Sequence, residues 1–108
     1  MTTFDKREDA FESKFAHDAQ LQFKAQARRN KLLGLWAAAL LGKTDADAVA
    51  YAGVVIAAGL DHAGHEDVFR KIRADFDAAG VPRSDHQIRR TMEELMATAI
   101  EQVRTEKI

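Results

Sequence analysis

Apolar residues recur at helical spacing through most of the chain, and the phase of that recurrence changes once, near residue 20. From Leu21 to Lys43, LQFKAQARRNKLLGLWAAALLGK, the residues Leu21, Ala25, Leu32, Trp36, Ala39 and Leu40 fall along one stripe at 100° per residue. Leu33, Ala37 and Leu41 widen that stripe toward its C-terminal end. It holds the only Trp and the densest cluster of large aliphatics, each of which gains roughly 1.5–3 kcal/mol on burial. The stretch is therefore expected to be a helix packed against others, the spine of the fold. Lys24, Arg28 and Lys31 line up on its opposite face as a basic, solvent-facing row, with Arg29 nearer the apolar boundary.

Residues 1–20 follow another phase. Phe4, Phe11 and Phe15 lie on one narrow line, while Asp5, Lys6, Arg7, Glu8, Asp9 and Glu12 fill the other faces. That line is about 60–80° away from the spine's stripe on a continuous helix, and Asp18 and Gln22 stand where it would go on. Two apolar faces pointing in different directions imply two partners. Residues 1–19 therefore read as an arm displayed for another protein, with Phe rings as anchors; the competing reading folds the arm onto the domain as extra core.

Downstream, Gly42 is a natural end for the spine, and Thr44 with Asp47 three residues on resembles a capping box opening a second helix. Ala48–Leu60, AVAYAGVVIAAGL, carries no charge, which predicts a helix buried on most sides. Its Ala50, Ala52, Gly53, Ala57 and Ala58 would let neighbouring helices approach closely, and a buried Tyr51 hydroxyl needs a partner. The run Val54–Val55–Ile56 resembles a strand in isolation, but the chain offers no second strand to pair with it. Asp61 is a candidate cap for a third helix, which spans His65 to Ala79, buries Val68, Phe69, Ile72, Phe76 and Ala79, and is closed by Gly80 and Pro82. Ser84, with Gln87 in box position, caps a fourth helix whose stripe is Ile88, Met92, Leu95, Met96, Ala99, Ile100 and Val103. The expected fold is all-α: a four-helix bundle over residues 20–108, with an N-terminal extension (1–19) that is mobile or partly helical when free.

Composition narrows this reading without changing it. A chain of 108 residues suits one modest core, and the absence of Cys excludes disulfides and thiolate metal sites. A formal charge of −1 gives no general case for nucleic acid or a membrane surface. The acids at the start of MTTFDKREDAFE argue against a targeting peptide, and no segment approaches the roughly 20 apolar residues of a membrane span. A soluble cytoplasmic domain is expected.

Candidate chemistry is sparse. Gly42-Lys43-Thr44 looks like the end of a phosphate-binding loop, but the Gly needed five residues earlier is Ala37, and a helix precedes it where that loop needs a strand. His62 and His65, beside Asp61, Glu66 and Asp67, lack a third placed ligand, so no metal is expected. His17 and His86 stand alone as surface residues. No Ser/His/Asp order, Cys nucleophile or buried carboxylate pair argues for catalysis, and no cofactor is called for. The row Lys24, Arg28 and Lys31 lacks the interleaved aromatics of a nucleic-acid surface. It leaves open a helical adapter that binds an acidic protein or nucleic acid, the acidic protein being favoured.

The order FDKRE, AFESKFAHD, ARRNKLLGLWAA, followed more loosely by EDVFRKIRADFDAAGV, resembles the zeta-subunit family of inhibitors of the F-type ATP synthase of alphaproteobacteria. The resemblance implies a non-enzymatic inhibitor. It implies an N-terminal helix, here about Thr2–Ala19, inserted between catalytic subunits and rotor of the catalytic head, while a four-helix domain holds it in place. The partners so implied are the alpha, beta and gamma subunits of that head, at the inner face of the cytoplasmic membrane, with no nucleic acid and no membrane insertion. The free protein is expected to be a monomer. The residues carried over to the inhibitory arm are Phe4, Asp5, Arg7, Glu8, Phe11, Lys14 and Phe15; the basic face Lys24, Arg28 and Lys31, read from the spacing alone, is a separate candidate for partner contact.

Overall fold

The computed structural model describes residues 19–61 and 65–106. Four helices make up almost all of it: α1 (Ala19–Leu40), α2 (Asp45–Asp61), α3 (His65–Ala79) and α4 (Asp85–Thr105). Val54, Val55 and Ile56 are helical, and no strand occurs among the described residues.

The boundaries follow from local chemistry. At the end of α1 the Lys43 amide bonds the Ala38 carbonyl (2.9 Å) and the Gly42 amide that of Ala39 (3.2 Å). This closure needs a left-handed residue, supplied by Gly42 at φ 79. Gly80 does the same for α3, with Val81 bonded back to the Phe76 carbonyl at 2.9 Å and packed on the core. Ser84 and Gln87 form the expected reciprocal box at the start of α4. The box expected of Thr44 and Asp47 does not form. Asp45 takes φ 49, and the Thr44 carbonyl instead accepts the Asp47 amide at 3.0 Å, a tighter opening turn.

Consecutive helices run antiparallel. Tyr51 of α2 donates to Asp75 of α3 at 2.6 Å, Arg89 of α4 meets Glu66 of α3, and Arg28 of α1 meets Gln102 and Glu106 of α4. The core lies where all four meet: Leu33, Ala37 and Ala38 of α1, Tyr51 and Val55 of α2, Val68, Ile72 and Phe76 of α3, Ile88 and Met92 of α4. Trp36 packs on its rim, its ring 5.6 Å from Phe76.

Toward its N-terminus α1 leaves α2 and α3 behind. Leu21 and Ala25 belong to a separate small cluster with Met96, Ile100 and Val103 of α4. The molecule is thus a four-helix body with a two-helix stalk, and residue 18 precedes the stalk's free end.

Three expectations about packing are corrected. The buried face of α1 is Ala25, Arg29, Asn30, Leu33, Gly34, Ala37 and Ala38, about 100° round the helix from the Leu32–Trp36–Leu40 stripe, and Ala39 is exposed. The reason is the closeness of α2. A Cβ on Gly34 would lie 2.7 Å from the Ala52 Cα, so only the smallest residues fit that contact and the large ones flank it. Second, α2 is not buried on most sides: Val49, Val54 and Leu60 are exposed, and Gly53 faces open space. Third, Ala79 is exposed, lying at the end of α3 where the chain turns away.

Candidate partner-binding surface

The seven arm residues Phe4, Asp5, Arg7, Glu8, Phe11, Lys14 and Phe15 lie outside the described residues, as does His62 of the His pair. Among the described residues no three His, Asp or Glu side chains gather as metal ligands would.

The basic row divides. Lys24 and Lys31 are exposed and form no ion pair among the described residues. Arg28 is half-buried and turned to α4, donating to Gln102 Oε1 at 2.9 Å and Glu106 Oε1 at 2.5 Å. It closes the stalk, so its charge is already matched inside the molecule. Arg29, placed at the apolar boundary by its sequence position, is buried, and its Nε donates to Asn30 Oδ1 at 2.6 Å. Burial holds its pKa below the usual arginine value.

These two neighbours open onto different clefts, neither of which a sequence pattern announces. Arg29 faces a cleft of about 270 Å³ between α1, α3 and α4, shared with His65, Arg89, Met92, Glu93 and Met96. Arg89 there is paired with Glu66 at 2.8 Å and lies over the Phe69 ring at 3.9 Å. That hydrogen bond lowers the Glu66 pKa and raises that of Arg89. Asn30 faces the other cleft, about 170 Å³, at the step where α2 ends against the stalk. Phe23, Ala27, Ile56 and Leu60 form its apolar walls, and Gly59 makes room for the Asn30 amide, which a Cβ there would meet at 2.2 Å. Phe23 and Leu60 are each 57% exposed, a large apolar surface for one small step.

Arg73 bonds the Arg83 carbonyl (2.6 Å), Asp77 (2.7 Å) and Asp85 (3.1 Å), fixing the α3–α4 turn. Burial, with Asp75 as hydrogen-bond acceptor, raises the Tyr51 pKa above the usual phenol value.

Among the described residues no side chains gather into a reacting constellation, while Phe23 and Leu60 stand exposed beside a cleft. A family model described as ATPase inhibitor subunit zeta matches residues 1–102. The chain belongs to that family. It is an inhibitor of the ATP synthase, a regulatory protein and not an enzyme. A solution NMR structure of a protein 48% identical to it superposes with a TM-score of 0.70, covering 81% of this chain and 99% of that one. A search of curated proteins finds no match. As a zeta-family member the chain acts on the ATP synthase, and none of its described helices is long and apolar enough to cross a membrane.

Proposed function

We propose that this zeta-family chain blocks ATP hydrolysis by wedging. Residues 1–19 enter the catalytic head as a helix between the alpha and beta subunits and the gamma rotor, and the domain of residues 20–108 holds that helix in place. The site of action is the cytoplasmic face of the membrane that carries the ATP synthase. The observation that carries the reading is that the family match begins at residue 1, so the arm belongs to the family's sequence as fully as the bundle does. The arm's composition supports it. Three aligned Phe rings among charges give an element with little to bury alone and much to bury in a partner, and aromatic anchors of this kind carry most of the energy in many interfaces.

The test is the ATPase rate of the cognate catalytic head against added protein. Phe11→Ala with Phe15→Ala is expected to raise the half-inhibitory concentration by at least about 100-fold, from roughly 1.5–3 kcal/mol of lost burial per ring. Full inhibition by that double variant overturns the wedge. An adapter working through the basic face predicts the reverse: loss with Lys24→Ala and Lys31→Ala, and little change with the Phe variants.

A further inference from the structure

The step between α2 and the stalk is a seat without an occupant among the described residues. Its volume of about 170 Å³ is close to the cavity of about 150 Å³ that holds one benzene ring, room enough for a phenyl ring. Its walls, Phe23, Ala27, Ile56 and Leu60, are apolar, and the Asn30 amide lies at its floor.

The nearest chain outside the described residues is the protein's own arm, which joins α1 at Ala19, four residues before Phe23. The middle of the seat, Ala27, is eight residues into α1, about 12 Å from Ala19 at helical rise. Phe15 reaches about 14 Å back from Ala19 when fully extended, all of it consumed by reversing direction. Phe11 reaches about twice as far and has chain to spare. Charge agrees: residues 1–18 hold five acids against three bases, while Lys24 and Lys31 are exposed and form no ion pair among the described residues. Lys24 stands three residues before Ala27 and Lys31 four after it, so both lie on the face of α1 that carries Ala27.

We propose that in the free protein the arm folds back onto this step, with the Phe11 ring seated between Phe23, Ala27, Ile56 and Leu60 and the arm's acids against Lys24 and Lys31. The seat is a property of this chain and does not depend on how it inhibits. Its consequence does rest on the wedge reading: one ring cannot serve two pockets, so binding the ATP synthase requires release of the arm. An arm seated in nine molecules of ten lowers apparent affinity about tenfold.

The chain has no Cys, so a single Ser13→Cys in the full-length protein carries a spin label beside Phe11. Amide signals of Phe23–Asn30 and Ile56–Leu60 are expected to broaden, while those of Arg90–Glu94 on α4 stay sharp. Leu60→Glu, a rim change at an exposed position with the fold checked by melting, should restore the broadened signals and lower the half-inhibitory concentration by up to about tenfold. Phe11→Ala should restore them as well. No broadening, or broadening spread over all faces, overturns the proposal. So does broadening passed from labelled to unlabelled molecules in a mixture, which puts a second copy in the seat. Weaker inhibition by Leu60→Glu also overturns it, because the step then receives a segment of the ATP synthase. Localised broadening that Leu60→Glu removes, in a protein that fails to inhibit, keeps the seat and discards the wedge.

Discussion

The two halves of α1 are one helix held in two ways. From Asn30 to Leu40 it lies in the body, where Leu33, Ala37 and Ala38 are fully buried and α2 approaches so closely that Gly34 touches backbone. From Ala19 to Arg29 it has mainly α4, a five-residue apolar cluster, and the partly exposed Arg28–Glu106 bridge. An exposed ion pair is worth about 0–1 kcal/mol, whereas each large side chain in the body is worth several times that. The difference makes a gradient of stability running down the helix toward the arm. The firm half supplies the fold, and the half next to the arm is expected to open before it.

The sharpest way to break this comparison is to truncate one side chain in each region. Phe76→Ala, in the fully buried body, is expected to cost about 3–5 kcal/mol and to lower the melting midpoint by more than 10 °C, since about 1 kcal/mol moves a domain of this size by about 4–8 °C. Val103→Ala, in the stalk, is expected to cost about 1–2 kcal/mol. Its main trace should be faster amide exchange in residues 21–28 while Leu33–Ala38 stays protected. Equal loss of protection along the whole of α1 would show that body and stalk open together.

Next in size is the contact that sets the spacing of α1 and α2. In an open helix position Gly→Ala gains about 1 kcal/mol, and Gly53, with nothing near its Cβ position, should show that gain as a higher melting midpoint. Gly34→Ala carries the same propensity but drives a methyl group to 2.7 Å from the Ala52 Cα, and overpacking of this kind costs about 1–3 kcal/mol. The two substitutions should therefore move the midpoint in opposite directions. A stabilised Gly34→Ala means that the helices can separate freely and that the close approach is not a constraint.

That contact also explains what the sequence hid. α3 and α4 were legible because charged residues mark their outer faces: His65–Ala79 and the Ser84–Gln87 box stand where the pattern puts them, and Val68, Phe69, Ile72, Phe76, Ile88 and Met92 are buried. In α1 the closest packing belongs to Gly34, Ala37 and Ala38, so weighting positions by side-chain size turns the face toward Trp36 and Leu32, which flank it. In α2 the pattern fails for another reason: from Ala48 to Leu60 no charge marks an outer side, and Val49, Val54 and Leu60 are exposed all the same. Burial of Arg29 and Asn30 in α1, and the two clefts on which they open, depend on helices distant in sequence and have no local signature. The reading of residues 1–19 as a separate arm rests on phase alone, and residues 1–18 lie outside the described residues.

The smallest effect tests how far surface charge helps to hold the body closed. Glu66 at the start of α3 accepts from Arg89 of α4 at 2.8 Å, and that hydrogen bond, with attraction to the same guanidinium, lowers its pKa in the folded protein. A carboxyl whose pKa falls on folding adds stability at pH values above its unfolded pKa, about 4.3, and loses it as pH drops through the lower folded value. Glu66→Gln keeps the size and an acceptor oxygen but removes the charge. It also leaves Arg89 on the face of Phe69, so the packing between α3 and α4 is retained. The melting midpoints of wild type and Glu66→Gln should therefore differ at pH 7, by less than the Gly34 effect because both side chains are well solvated, and converge as the solution is acidified below about pH 4. A gap that persists unchanged into acid would mean that Glu66 acts through its shape and not its charge. The junction of α3 and α4 would then rest on its buried apolar side chains and the Arg73 clamp, with no share from the Glu66 charge.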